Sequence, residues 1–340
     1  MERTISEIGE FRLIERIKKF LPQANKDDIL FGIGDDTAVI KISPQKWLLA
    51  TCDIQIQDIH FRMKYLTPFQ LGRRAIAVNL SDIASMGGQP DYALISVGLP
   101  SNIKVKQFDE IFRGMGDELA KYSAFIVGGN LAHSSEKLIL DVFLLGEVSP
   151  DRILLRSGTN PGDRIFVTGK LGASAAGYHV LGKYGPDYPG EYASLVKAHL
   201  QPVAKIQTGQ KIAQSGYATA MIDLSDGIAS DLRHICDSSR VGAEISERNI
   251  PFPGKLDHVA KMFSKRKLDL ALYGGEDYQL LFTMKADTPS EIINKIAAET
   301  KTEMTEVGKI VSAEQGYYLV NTINQKVPLQ PKGWDHFAIF

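Results

Sequence analysis

The sequence predicts an α/β (α+β) protein of two domains, and three observations carry that expectation. Short apolar runs of strand character alternate along the chain with stretches whose apolar residues recur at helical spacing. At 340 residues the chain is long for one ordinary hydrophobic core and suits two. A turn-rich break falls near the middle, at Ser149-Pro150 and again from Ser157 to Asp163. The domains are therefore expected at residues 1–149 and 150–340.

In the first half, Ile8, Phe11, Leu13, Ile14, Ile17 and Phe20 recur at helical intervals over 5–21, with a basic C-terminal end that suits the helix dipole. Gly32-Ile33-Gly34-Asp35-Asp36 follows, then a short strand at 38–42 and a Ser43-Pro44 turn. Residues 47–53 read as a buried strand that delivers Asp53 at its end, and His60-Phe61 closes the next loop. Over 68–86, Leu71, Ala75, Val78, Leu80, Ile83 and Met86 mark a long helix, apolar on much of its surface. That helix carries Asn79-Leu80-Ser81-Asp82, and polar groups there are costly unless they bond or bind something. A strand is expected at 92–99, a helix at 105–122, a strand at 124–127 ending in Gly128-Gly129-Asn130, and a strand at 138–148.

In the second half, a strand at 164–168 leads into Gly169-Lys170-Leu171-Gly172 and an alanine-rich helix. Helices are expected at about 191–200 and 203–215. A strand at 218–222 runs into Asp223-Leu224-Ser225-Asp226-Gly227, where a helix over 228–238 begins. Ser225 is a candidate cap for it, with Asp226 in the first turn. Residues 268–273 lead into Gly274-Gly275-Glu276-Asp277, followed by a strand at 278–284, a helix at 289–300 and strands at 306–311 and 317–320. The aromatic tail around Trp334 and Phe337 is expected to pack against the body.

Composition excludes several classes of function. The formal net charge of −1 gives no field that draws nucleic acid or an anionic membrane. The basic run Lys265-Arg266-Lys267 reads as a solvated face. Two cysteines, Cys52 and Cys236, form neither a disulfide framework nor a zinc site and fit a reducing compartment. The N-terminus is charged and lacks an apolar signal core, and no apolar run reaches the roughly 18 residues that span a bilayer. The expectation is a cytoplasmic protein.

Asp35 and Asp36 stand side by side, and two ionised carboxylates repel and cannot hydrogen-bond each other. Such a pair either lies in a solvated turn or serves a hard cation such as Mg²⁺. The same design recurs in Thr51-Cys52-Asp53, in Asn79-Leu80-Ser81-Asp82 and in Asp223-Leu224-Ser225-Asp226-Gly227. These aspartates lie at or on the most hydrophobic elements, whose ends in α/β proteins are ligand sites. Five or six carboxylates meeting in one place cannot all ionise without cations. Magnesium ions bridging a nucleotide's phosphates satisfy them, and phosphoryl transfer is mostly positioning and neutralisation of that charge. Neither Gly128-Gly129 nor Gly169 to Gly172 carries the lysine and hydroxyl residue of a P-loop, so each is a plain turn or a backbone phosphate contact.

With these segments assembled, the chain resembles the thiamine-monophosphate kinases, a branch of the superfamily named after aminoimidazole ribonucleotide synthetase. The resemblance is carried by Gly32 to Asp36, Asp53 with His60-Phe61, Ala77 to Ala84, and Arg156-Ser157-Gly158 with Pro161-Gly162-Asp163. It continues through Ile222 to Gly227, Gly274 to Tyr278 and Gly333 to Phe337. It implies a two-domain aminoimidazole ribonucleotide synthetase-like fold, with a homodimer formed through the sheet of the N-terminal ATP- and magnesium-binding domain. The C-terminal domain would complete the nucleotide and substrate sites.

The implied reaction is ATP-dependent phosphorylation of thiamine monophosphate to thiamine diphosphate, by direct in-line transfer. Mg²⁺ and ATP are the implied cofactor and co-substrate, with K⁺ as a candidate monovalent ion. By resemblance, Asp36, Thr51, Asp53, Asp82, Asp223 and Asp226 match magnesium positions, and Asp53, Asp82 and Asp226 are expected to matter most to turnover. Tyr122, Gly129, Arg156 and Ser225 match nucleotide contacts. His60, Glu276 and Trp334 match substrate contacts, a role for which His60 competes with backbone bonding and Trp334 with core packing. Arginine forks suit phosphate oxygens, and an aromatic ring suits a cationic thiazolium.

Two further metal positions depart from the family. Cys52 stands in place of a hydroxyl residue, and a thiol is a poor partner for a hard ion. Asn130, also a nucleotide contact by position, stands in place of an aspartate and lacks its charge, and the family's nearby arginine is missing. Two alternatives therefore stay open at this point: a divergent paralogue using ATP on another acceptor, and a nucleotide-binding homologue without turnover.

Overall fold

The structure is a computed structural model that describes residues 8–20, 27–330 and 332. After helix α1 (Glu10–Phe20), the first half builds a six-stranded sheet from β1 (Ile29–Phe31), β2 (Ala38–Lys41), β3 (Trp47–Ile56), β4 (Gln89–Leu99), β5 (Phe125–His133) and β6 (Ile139–Val148). Its order is β1-β2-β3-β6-β4-β5, antiparallel throughout except for β4 and β5. That parallel pair is joined by helix α3 (Val105–Ala120), the crossover a parallel connection requires.

The strands alternate as a half-buried sheet should: Leu140, Val142 and Leu144 of β6 are fully buried, with their neighbours turned to the other face. Helix α2 (Pro68–Ser85) covers the buried face against β3, β4 and β6. It begins at a capping box: Thr67 Oγ1 accepts the Gln70 N–H at 3.2 Å, Gln70 Oε1 accepts the Thr67 N–H at 2.9 Å, and Pro68 takes the first position. α2 and α3 cross closely at Gly72, where a Cβ would lie 1.9 Å from the Ile111 carbonyl oxygen.

The second half builds a seven-stranded sheet from β7 (Arg164–Thr168), β8 (Ala218–Asp223), β9 (Gly242–Ser246), β10 (Leu280–Met284), β11 (Met304–Val311), β12 (Tyr317–Val320) and β13 (Lys326–Pro328). Its order is β13-β12-β9-β11-β7-β10-β8, with only β9 and β12 parallel. One face, including Ile165, Val167, Ala220, Ile222 and Leu281, packs with α7 (Ile228–Ser239) and α9 (Lys267–Tyr273). The other face, including Phe166, Met221 and Phe282, joins a core that continues into the first half. Around it lie α4 (Ala173–Tyr184), α5 (Ala193–Leu200), α6 (Ile206–Gln214), α8 (Leu256–Met262) and α10 (Ser290–Thr300). α2 therefore touches both halves, packing on α5, α6 and β8 as well as on its own sheet.

Several expectations shift. The strand expected at 124–127 runs on through Gly128-Gly129-Asn130 to His133. The strand expected from 278 starts at Leu280, because Glu276 and Tyr278 take left-handed backbone conformations at φ 56° and 47°. The helix expected from 191 opens as a 3-10 turn, Gly190–Tyr192. The short β1, β9, β13 and α8 lack a long enough period to be read from the sequence. The aromatic tail with Trp334 lies outside the described residues. Among the described residues, no helix is long and apolar enough to cross a membrane.

Candidate active site

Strand alternation puts Thr51 and Asp53 on the face of β3 that meets α2, and α2 answers with its polar residues. Asn79, fully buried, accepts the Asp53 N–H on Oδ1 at 3.0 Å and donates from Nδ2 to the Ala75 carbonyl at 3.1 Å. Thr51 Oγ1 donates to Asp82 Oδ2 at 2.5 Å. Ser81 Oγ donates to Asp223 Oδ2, at the end of β8, at 2.6 Å. Asn79 and Ser81 of this apolar helix are thus used to place Asp53 and Asp223, and the Ser81–Asp223 bond joins both halves.

Carboxylate oxygens of Asp36, Asp82 and Asp223 lie within 4.8 Å of one another. Burial and then the charges of Asp53, Asp223 and Asp36 raise the Asp82 pKa well above its ordinary value. Burial and then Asp36 push Asp223 up to about 8, although Ser81 opposes the shift. The Asp36 side chain is 1% exposed; Oδ1 receives the Arg156 Nε–H at 2.9 Å and an Nη2 bond, while Oδ2 is buried with no hydrogen-bond partner. A residue with a buried orphan oxygen, close to two further carboxylates, fits a divalent cation, whose oxygen ligands these would be.

Asp35 turns away from this cluster to a structural task. Its carboxylate accepts the Arg156 N–H at 3.2 Å and the Asp36 N–H at 3.0 Å, so it fixes both members of the Asp36–Arg156 pair. Burial, followed by Asp36, pushes it up to about 7.

Around Asp226 the capping expectation is corrected. α7 has Gly227 at its N-cap and no cap bond from Ser225. Instead Asp231 Oδ2 reaches back from the first turn to accept the N–H groups of Asp226 (3.3 Å) and Gly227 (3.1 Å). Sequence reasoning missed Asp231; an aspartate four residues beyond Gly227 on a helix start was the available signal. Burial, then the charges of Asp226 and Asp223, raise its pKa well above the usual range. Ser225 does other work, its carbonyl accepting the Glu276 N–H at 2.6 Å.

Asp226 is not one of the three gathered aspartates, and two other expected metal residues lie on the opposite face of the first sheet. Cys52 follows Thr51 on the strand and points to the opposite, exposed face, where Sγ donates to Asp141 Oδ1 at 3.2 Å. Burial, followed by Asp141, pushes its thiol up to about 12. Asn130 is exposed on edge strand β5, in register with Ser96, which is in register with Asp141. That row lies on the same face as Cys52. Gly129 packs so closely on β4 that a Cβ would lie 1.9 Å from the Ile95 carbonyl oxygen. The Tyr122 hydroxyl donates to the Ala204 carbonyl at 3.4 Å, and burial pushes its pKa up to about 12.

A second cluster lies where α2 meets α5. His60, Arg62, Tyr65, Arg74, His199 and Leu200 line a small cavity, and Glu276 adjoins it through Arg74 and His199. His60 Nδ1 accepts the Ile56 N–H at 3.0 Å, which fixes its ring at the strand end. Burial opposes ionisation of Glu276, but the charge of Arg74 and the bond from His199 bring its pKa down to about 2. Trp334 lies outside the described residues.

The family model described as AIR synthase related protein, N-terminal domain, matches residues 34–148, and its C-terminal counterpart matches residues 160–321. The chain is 37% identical over 333 residues to the thiamine-monophosphate kinase of Aquifex aeolicus (strain VF5), covering 98% of this chain and 99% of the relative. It is 32% identical over 333 residues to that of Bacillus subtilis (strain 168), covering 97% and 100%. A solved structure described as AaThiL complexed with AMPPCP and TMP superposes with a TM-score of 0.85 at 36% identity, covering 99% of each chain.

Proposed function

Because the chain belongs to the thiamine-monophosphate kinase family, we propose that it transfers the γ-phosphoryl group of ATP to the phosphate of thiamine monophosphate, giving thiamine diphosphate and ADP. A phosphate oxygen of the acceptor bonds to the γ-phosphorus as the bond to the β-phosphate's bridging oxygen breaks, with no phosphoenzyme between. The observation that carries this is the meeting of carboxylate oxygens of Asp36, Asp82 and Asp223, with Oδ2 of Asp36 buried and unpartnered. The relative solved with AMPPCP and TMP supports the choice of ligands.

Asp36, Thr51, Asp53, Asp82, Asp223 and Asp226 are the residues that would hold Mg²⁺, with Asp53, Asp82 and Asp226 the most sensitive. When bound, Mg²⁺ neutralises phosphate charge and the charge of the carboxylates themselves. Arg156 is proposed to meet nucleotide phosphate, as its fork suits, with Tyr122, Gly129, Asn130 and Ser225 as further nucleotide contacts. His60, Glu276 and Trp334 are proposed to contact the acceptor. The shared cavity border of His60, Arg74 and His199, with Glu276 beside it, supports the first two.

Residues 1–149 and 150–340 are taken as the two domains, in keeping with one sheet on each side. A homodimer through the first sheet is supported by Ile54, Tyr92, Leu94 and Phe125, which lie 38% to 62% exposed on the face away from α2. The reaction is placed in the cytoplasm, where ATP is supplied.

Incubation of the purified protein with ATP, Mg²⁺ and thiamine monophosphate tests the proposal. Thiamine diphosphate and ADP in equal amounts are expected. ATP bound without turnover, or consumed only with another acceptor, would overturn it.

A further inference from the structure

Arg74 sits in the middle of α2 and is 2% exposed, a costly place for a guanidinium unless its partners are fixed. Nη1 donates to the His199 carbonyl oxygen on α5, and Nη2 pairs with Glu276 Oε1 in the loop before β10. Nε is buried with no partner. His199 Nδ1 lies 3.3 Å from Glu276 Oε2 and 3.0 Å from Ser174 Oγ, so both oxygens of Glu276 are held from the protein side. The backbone of Glu276 is held as well, at φ 56° with its N–H on the Ser225 carbonyl. Yet the Glu276 side chain keeps 32% of its surface open, against 2% for Arg74.

We infer that Arg74, assisted by His199, is a positioning residue for the acceptor: it reaches from the first half to fix the Glu276 carboxylate in one orientation beside the His60 cavity. The role rests on the proposal above that Glu276 contacts the acceptor. An ion pair anchored this deeply presents little free negative charge. What it offers is a preset oxygen acceptor for an N–H-donating or cationic ring of the substrate, with little ordering left to do on binding. The partners of Arg74 are the His199 carbonyl and Glu276, not the aspartates Asp36, Asp82 and Asp223, so its removal is expected to be felt by the acceptor and not by ATP.

Steady-state kinetics with each substrate varied test this in the full chain, using Arg74→Met, Arg74→Lys, Glu276→Gln and the double variant Arg74→Met/Glu276→Gln. The double variant removes both charges, so that a folded protein is retained if the lone buried charge proves too costly, and melting curves check folding in each case. The expected result for Arg74→Met is an acceptor KM raised about tenfold or more with the ATP KM within about twofold, the pattern of lost acceptor binding. Arg74→Lys recovers part of the loss, and the double variant is no worse than Glu276→Gln alone, because one residue acts through the other. An unchanged acceptor KM in a folded Arg74→Met protein, or losses that add in the double variant, would overturn the inference. An unchanged acceptor KM in Glu276→Gln would overturn it too, while leaving the proposed reaction standing. Absence of any thiamine diphosphate from the parent protein would instead strike the proposed function.

Discussion

Asp82 is the residue on which the charges of the site converge, flanked by Asp53, Asp223 and Asp36 and bonded by Thr51. Replacing it with asparagine removes the cost of burying an ionisable group among like charges, and takes one oxygen ligand from the cation. Asp82→Asn is therefore expected to raise the melting temperature of the metal-free protein while lowering kcat by about 100-fold or more, as loss of a charge-stabilising group does. Calorimetry and the phosphorylation assay read the two effects on one preparation. Asp223 adds a pH dependence. In the fold its carboxyl keeps its proton to about pH 8, whereas its ordinary value is 3.8, so between these limits the folded state binds the extra proton. Stability of the metal-free protein then falls as pH rises through that window, and Mg²⁺ flattens the fall. Melting curves from pH 5 to 8, with and without Mg²⁺, test this; a metal-free melting temperature that climbs with pH would contradict it.

At the scale of elements, α2 governs the site because its small and polar residues let three partners approach. Gly72→Ala would drive a Cβ to 1.9 Å from the Ile111 carbonyl oxygen, so α2 and α3 must separate. A loss of about 1–3 kcal/mol is expected from such overpacking, read by urea unfolding, with activity falling as Asp82 is displaced. The polar triplet Asn79, Ser81 and Asp82 was legible in the sequence, because such groups in an apolar helix need partners, and each has one. The convergence of Asp36, Asp82 and Asp223 was legible for a similar reason, as repeated aspartates on apolar elements. Cys52 was not, because adjacency in a strand means opposite faces, and period 2 separates it from Thr51 and Asp53. Arg74 was invisible because its partners lie 125 and 202 residues away, and only the tertiary fold brings them. Asp231 was missed because the backward reach of a first-turn side chain leaves no periodic mark.

For the whole molecule, the two sheets do not make two independent bodies. The larger core runs from Leu140 and Val142 on one side to Phe166 and Phe282 on the other, and α2 is wedged between them with Gly209 of α6 closed onto its Ala84 carbonyl. The seam is thus interior and not a hinge surface, although the chain crosses it only once. Cutting the gene in two near residue 150 should yield fragments that each expose a raw apolar wound, the first along the outer flank of α2. Made separately they should precipitate or remain partly unfolded; made together in one cell they should find each other and restore phosphorylation. Soluble, natively folded fragments in isolation would mean that this wedge is dispensable.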